Sequence, residues 1–499
     1  MNYDVIVVGG GPVGMMVAGE LALADVKVCV LEKLEATTPY SRALSIHPRT
    51  LEMMDLRGLK SELLQIGMPL PTGHFAGLAT RLDFAVIDSS SNYSLFIAQS
   101  ETEKVLEQRA WALGADIRRG IEVLSVTQSA DCVEVTASGA GRQMTLTAAY
   151  VVGADGAGSM VRKQANIPFN GTDATMTAVQ GDVVFKNPPA TSVVSSFNEQ
   201  GMIMIVPVSK GLHRVVFIDP ETKTIPKDQP VTLEELRSGM IRMLGEDYGI
   251  SEPYWMTRFG NATRQAERYR EGRLLLAGDA AHIHFPAGGQ GMNVGLHEAM
   301  NLGWKLAAEV KGWAPEGLLD SYHAERFPVN TALLQNTSVQ TLLFGTDFSP
   351  ATIHLRQMIS ELLQSPDANY RLASQIAAVD VHYDVREDVS SHQLNGRRLA
   401  EIRLHSENGD VFSSYELFRE GNYVLLNLSS DESVEEIVRK QQRGRIKNVN
   451  AALAEPAKGW DDVHTALVRP DGYIAWAIAG TEIDLYNRIE QGIEQIGKT

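Results

Sequence analysis

The run Gly9-Gly10-Gly11-Pro12-Val13-Gly14 constrains this chain more than any other, because of what flanks it. Before it, Tyr3-Asp4-Val5-Ile6-Val7-Val8 is an apolar, β-branched run suited to a buried parallel strand. After it, Val13 to Ala24 has helical spacing and good helix formers, and Lys27-Val28-Cys29-Val30-Leu31-Glu32 reads as a second strand. Together they make a βαβ unit. Gly9 lets the chain turn tightly, Gly11 leaves room for a pyrophosphate against the backbone, and Gly14 lets helix and strand pack closely. The free amides at the helix start then face the anion. Glu32 ends the second strand eighteen residues after Gly14, near the spacing at which a carboxylate accepts hydrogen bonds from an adenosine ribose. An acid there favours a free 2′-hydroxyl, as in FAD or NAD, over a 2′-phosphate.

Two later segments extend the same pocket. The strand Leu146 to Val152 delivers Gly153-Ala154-Asp155-Gly156 at its carboxyl end, where open α/β sheets bind ligands. The short strand Arg273 to Ala277 delivers Gly278-Asp279-Ala280-Ala281-His282. Order and spacing suggest one flavin shared by all three. Asp279 can accept hydrogen bonds from ribityl hydroxyls; in isolation it reads as a turn or cap aspartate. Pro286 to Gly291 carries little side-chain bulk, so backbone can lie against an isoalloxazine ring. The helix Asn293 to Val310 points its N-terminus, about half a positive charge, at that ring and favours an anionic reduced form. No second GxGxxG has strand and helix context, so a nicotinamide reductant is expected to bind transiently at the flavin.

The remaining sequence bounds the architecture. At 499 residues, two to four domains are expected. The net charge of −16 argues against nucleic-acid or anionic-membrane partners. No leader and no bilayer-length apolar stretch is visible, so a soluble, cytoplasmic protein is expected, monomeric or homodimeric. The two cysteines, Cys29 and Cys132, sit in strand-like apolar settings and read as core residues in a reducing compartment. Strands at Ala178 to Phe185, Met202 to Val208 and His213 to Ile218 have no intervening helices and predict an antiparallel layer, with a helix at Leu233 to Leu244. Further helices are expected over about Pro328 to Leu372, and the tail from about Asn395 suggests a small separate α/β domain.

These residues resemble the FAD-dependent aromatic hydroxylases, the single-component class A flavoprotein monooxygenases. The resemblance rests on Gly9 to Gly14, Ser41-Arg42, Gln99 to Leu106, Gly153 to Arg162, and Gly278 to His282 through Pro286, Gly289, Gln290, Gly291 and Asn293. Gly312-Trp313-Ala314-Pro315 and Leu319 to Arg326 are similar to the branch that hydroxylates polycyclic polyketides and rifampicin. The resemblance implies an α/β fold of the p-hydroxybenzoate hydroxylase type. Its FAD-binding domain is expected over 1–70, 100–176 and 270–390, an antiparallel-sheet substrate domain over 71–99 and 177–269, and a thioredoxin-like domain without CxxC over 395–499. Cofactor contacts are expected from Gly9, Gly11, Pro12, Gly14, Glu32, Lys33, Arg42, Gln99, Asp155, Asp279, Pro286, Gly289, Gly291, Met292 and Asn293. Arg42, in a polar loop, reads as an exposed guanidinium without the resemblance. Arg162 is placed to pair with Asp155. Glu298 stands where relatives usually carry aspartate.

The chemistry implied is reduction of FAD by NADPH or NADH, addition of O2 at flavin C4a, and transfer of the distal oxygen of the hydroperoxide to an electron-rich ring carbon. The protein excludes water and orients an aromatic substrate. His213 and Arg214 are candidates to meet a phenolate, with a surface or core-satisfied pair as the alternative; no catalytic base is assigned, and Arg42 is the one catalytic candidate. His282 and His284 form an H-x-H without a third ligand, so no metal is expected. A non-catalytic flavoprotein that sequesters an aromatic ligand, or a halogenase or reductase on the same fold, is the alternative.

Overall fold

The computed structural model describes residues 1–496 except 192, 210, 252, 346, 385–388 and 442–444; the last three positions of the expected tail domain lie outside the described residues. The central sheet runs in the order Arg270–Glu271, Leu274–Leu276, Arg142–Gly153, Tyr3–Val8, Val28–Glu32, Asp116–Arg119. All neighbours are parallel except the first pair. Val5, Ile6 and Val7 are wholly buried, as β-branched residues are when helices cover both faces of a sheet. The helix Pro12–Leu23 is apolar on nearly every side because it is wedged between Gln99–Ala112 and Gly291–Val310. Strands Ile121–Gln128 and Val133–Gly139 extend Arg142–Gly153 as an antiparallel flap. Cys132 lies in the turn before that flap's second strand and is half-buried, while Cys29 is core.

A second sheet is antiparallel: Val194–Asn198, Gly201–Ser209, Leu212–Ile218, Thr177–Val184, Trp255–Gly260. Side-chain alternation gives it two functions. Val179, Val183, Ile203, Ile205, Val215 and Phe217 pack under the helix Leu233–Leu244. That helix starts where Thr232 accepts a hydrogen bond from the Glu235 amide and stops at Gly245, whose φ of 85° few other residues tolerate. The opposite face presents Ala178, Met202 and Ile218 to Phe84, Phe285 and Phe344.

The helical region expected from Pro328 begins earlier, in a helix spanning Ser321–Gly345 that runs through the proline. Pro328 removes one intrahelical hydrogen bond, a cost of about 3 kcal/mol. Tyr322 explains the tolerance: it is wholly buried and its hydroxyl donates to the Leu276 carbonyl at 2.7 Å, holding the first turn against the sheet.

The tail forms a six-stranded mixed sheet, ordered Val411–Ser413, Arg403–Ser406, Ile446–Leu453, Tyr423–Asn427, Val463–Val468, Ile474–Ala479, with helices Glu432–Gln441 and Leu485–Glu494. It is not separate from the rest. Leu399, Ile402, Tyr415, Phe418 and Val424 share one hydrophobic core with Leu51, Met54 and Leu56.

Candidate cofactor and substrate site

The strands Tyr3–Val8, Arg142–Gly153 and Leu274–Leu276 end side by side, so the three glycine segments meet at one edge of the sheet. Ala154 donates its amide to the Val8 carbonyl at 2.8 Å, and a Cβ on Gly9 would lie 2.3 Å from the Ala154 oxygen. Gly9 also has φ 104°, so a side chain is excluded twice over. A Cβ on Gly14 would lie 2.0 Å from the Gly9 oxygen. Gly11 differs, since a Cβ there would meet only Oε1 of Glu103, at 3.6 Å. The free space over Gly11, beside the start of the Pro12 helix, is a cradle for a phosphate.

Glu32 accepts hydrogen bonds from the amides of Gly10 (2.6 Å) and Leu34 (2.8 Å). Gly10 is a residue that the fingerprint alone does not single out; a Cβ there would lie 2.8 Å from that of Glu32. Lys33 and Arg42 are exposed. Gln99 holds the Arg42 loop through both its backbone and its side chain, the latter accepting from the Ala43 amide at 3.1 Å.

Asp155 does not pair with Arg162. Its Oδ2 accepts from the amides of Met160 and Val161, while Oδ1 is buried without a partner among the described residues. Arg162 donates instead to the carbonyls of Ala280 and Ala157 and lies over the Phe169 ring, tying the second glycine segment to the third. The short helix after Asp155 takes its capping from Asp155 and Ser159, which leaves Arg162 free to turn inward.

Asp279 faces the cleft. The side chain is exposed, yet the protein crowded around it displaces enough water to raise its carboxyl above the ordinary range, with His282 and Arg42 opposing that rise. Behind it, Glu298 fixes the third segment, accepting from the Gly278 amide at 2.7 Å, pairing with His282 at 2.8 Å and accepting from Asn330. Burial alone would raise the Glu298 carboxyl and depress the His282 ring; their mutual attraction outweighs both, so the acid is lowered and the histidine raised.

The loop Pro286 to Gly291 folds as a short helical turn with Gly288 at φ 71° and Gly289 at φ 66°. Asn293, just inside the following helix, accepts from the His47 amide at 2.8 Å and donates to the carbonyls of Ser45 and Gly289. His47 Nε2 donates to the Gly288 carbonyl at 2.8 Å and Nδ1 accepts from Ser94, so burial holds the ring neutral, down to about 4. His47 is a loop-holding residue that sequence reasoning missed; Pro48 marks a helix start there, but nothing local marks a partner 241 positions away. Pro286 is exposed, Met292 is half-buried against the core, and Gly291 sits beside His284.

His213 and Arg214 occupy opposite faces of their strand, as neighbours must. His213 tilts against Phe185 on the face under the Leu233–Leu244 helix, so it points away from the site. Arg214 does face the site, but it is spent: it pairs with Asp182 through two hydrogen bonds and donates to the carbonyls of Arg42 and Ser41. Tyr40 stacks on Trp255 at 4.7 Å beside it. This buried pair clasps the Arg42 loop to the antiparallel sheet rather than meeting a phenolate. Beside the Pro286 loop the packing is aromatic: buried Phe285 meets half-buried Phe259 at 5.5 Å and buried Phe344 at 6.0 Å.

The unpartnered Asp155 oxygen, the open cradle at Gly11 and the cleft-facing Asp279 together suit a dinucleotide carrying hydroxyls and phosphates. Known proteins point the same way. Residues 2–337 match a family of FAD binding domains and 392–493 the C-terminal domain of aromatic-ring hydroxylases. The chain is 49% identical to an uncharacterized aromatic compound monooxygenase of Bacillus subtilis strain 168, across 99% of this chain and 98% of that one. It is 42% identical to a rifampicin monooxygenase of Streptomyces venezuelae, across 95% of each. The solved anhydrotetracycline hydroxylase of Streptomyces rimosus superposes with a TM-score of 0.89 at 39% identity, covering 97% of each chain. The chain therefore belongs to the FAD-dependent aromatic-ring hydroxylases and is a flavoprotein monooxygenase.

Proposed function

We propose that this enzyme uses NADPH or NADH and O2 to hydroxylate a polycyclic, phenolic substrate of the polyketide or rifamycin type, in the making or the inactivation of an aromatic antibiotic. The observation that carries the reading is the aromatic cluster beside the Pro286 loop, where half-buried Phe259 covers buried Phe285 and Phe344, an apolar wall that suits a flat ring system. The guanidinium of Arg356 on that side is also spent, on the carbonyls of Ala76, Gly77 and Leu343. The substrates of the tetracycline and rifampicin relatives are of this kind.

FAD, when bound, would supply the redox chemistry, with the nicotinamide as electron donor and O2 as the source of one oxygen atom for the ring and one for water. The chain supplies position. Glu32 and Lys33 lie where the adenosine end would rest, Gly9, Gly11, Pro12 and Gly14 where the diphosphate would, and Asp279 where the ribityl chain would. Pro286, Gly289, Gly291 and Met292 would border the ring, with Asn293 holding their loop. The helix amides at Gly291 would favour negative charge on the reduced ring. Arg42, Gln99 and Asp155 would complete the contacts. We read 1–70, 100–176 and 270–390 as the cofactor domain, 71–99 and 177–269 as the substrate domain, and 395–499 as a thioredoxin-like packing domain; it contains no cysteine. Among the described residues no helix is long and apolar enough to cross a membrane.

The test is nicotinamide oxidation with and without a panel of polycyclic phenols, followed by product mass. Substrate-stimulated oxidation with one oxygen atom added to the product supports the reading. Tight binding of the phenols with no turnover would replace it with sequestration.

A further inference from the structure

Glu103 stands in an unusual place for an acid. It lies on the helix Gln99–Ala112, one turn after Gln99, and is 8% exposed. Its Oε1 is the atom nearest the open space over Gly11, where the diphosphate is expected. No described residue gives its carboxyl a hydrogen bond, whereas the acids beside it are held: Glu107 by both arms of Arg119, and Glu32 by the amides of Gly10 and Leu34. An ionised carboxylate there would face a dianionic ligand at short range from a largely buried side chain, a repulsion that weakens binding.

We propose that Glu103 is a cofactor-binding residue that carries a proton, donating its O–H to a diphosphate oxygen, so that binding takes up one proton from solvent. This rests on the dinucleotide reading of the site. The groups facing it support a neutral acid. Burial pushes the carboxyl up, Arg119 opposes, Glu32 and Glu107 add to the rise, and Arg42 opposes again, leaving it at about 7. FAD itself does not titrate near that value, so the proton must come onto the protein.

The experiment titrates apoprotein with FAD, read by quenching of flavin fluorescence, between about pH 6 and pH 9. In the wild type, Kd should rise about tenfold per pH unit above about 7, the slope of one-proton uptake. Glu103→Gln keeps a donor but cannot ionise. It should match the low-pH affinity of the wild type and hold it across the range, while Glu103→Ala should bind weakly and without slope. A flat wild-type profile overturns the proposal, as does a slope that survives in Glu103→Gln. Uniformly tighter binding by Glu103→Gln also overturns it, because it reveals a charged Glu103 that merely repels. Absence of FAD binding by the wild type at every pH would instead fail the cofactor reading. Thermal melts of the apoproteins separate loss of fold from loss of affinity.

Discussion

Distant segments converge in two regions of this molecule, and the two treat charge in opposite ways. Where the tail docks, each buried carboxylate faces a cation: Glu20 meets Arg57 and Arg109, Glu52 meets Arg49 and Arg398, and Glu325 meets Arg469 and Lys305. Arg57 also donates to the carbonyls of Phe418 and Pro470, so one guanidinium stitches both units together. At the sheet edge, by contrast, one oxygen of Asp155 is buried without a partner among the described residues, Glu103 takes no hydrogen bond from a described residue, and Asp279 is exposed to the site. Buried polar groups without partners cost free energy in the empty protein. Nitrogens of Arg49, Trp304 and Arg326 in the dock also go unpartnered among the described residues, so the contrast lies in the carboxylates: those of the first region are neutralised by cations and hold architecture, those of the second are left for a ligand.

That contrast breaks most sharply at Arg57. Arg57→Ala leaves Glu20 to Arg109 alone and strips two buried carbonyls of their donor, and breaking a buried pair of this kind costs up to about 3–5 kcal/mol. A large fall in chemical-denaturation midpoint is expected, with FAD affinity nearly unchanged in the cold for whatever remains folded. Loss of affinity with intact stability would merge the two regions into one. Gly14→Ala should do the reverse. Its new Cβ forces helix and strand apart at the Gly9 carbonyl, an overpacking of about 1–3 kcal/mol. If that falls on binding, FAD affinity drops about 10- to 100-fold.

Asp279→Asn is a gentler version that reads the unpaired charge itself. A carboxyl raised in the folded state holds its proton more tightly there than in the unfolded chain. Its contribution to stability is present at low pH and lost as pH rises through the folded value, and the cost of the charge is carried once pH has passed that value. The asparagine variant should therefore melt at or above the wild-type temperature as apoprotein near pH 7, yet bind FAD more weakly. A lower melting temperature would show that Asp279 is structural.

The sheet edge was legible in sequence because its devices are local. Glycines between β-branched strands and a helix specify the turn whatever lies elsewhere, and Thr232 with Gly245 bounds its helix at the predicted residues. Residues whose meaning depends on a remote partner were not legible. Arg214 and His213 look equivalent until strand register sends one toward Arg42 and the other toward Phe185. Glu103 looks like one more acid on a polar helix until folding sets it over Gly11. The tail strands Arg403–Ser406 and Ile446–Leu453 are too polar to announce themselves. They become strands because Tyr423–Asn427, wholly buried, recruits Ile446–Leu453, which in turn pairs with Arg403–Ser406.

The smallest effect, and the finest probe of the dock, is expected at Lys305. Its ammonium is wholly buried, 2.8 Å from Glu325, and burial depresses it to about 8 despite that partner. Between about pH 8 and its ordinary value the unfolded chain binds the proton more readily than the folded one, so stability rises with pH across that window. Below it, the cost of burying the charge is fully present. Arg469 already holds Glu325 with two hydrogen bonds, at 2.8 and 2.9 Å, so the acid is not orphaned when the lysine goes. Lys305→Met should thus be neutral or stabilising by about 1 kcal/mol at pH 7, as buried ion pairs often are when replaced by apolar bulk. Urea denaturation at neutral and alkaline pH should show the variant's advantage shrinking as the wild-type lysine sheds its proton. A loss of several kcal/mol at pH 7 would mean that this ammonium, and not Arg469 alone, holds the two units in register.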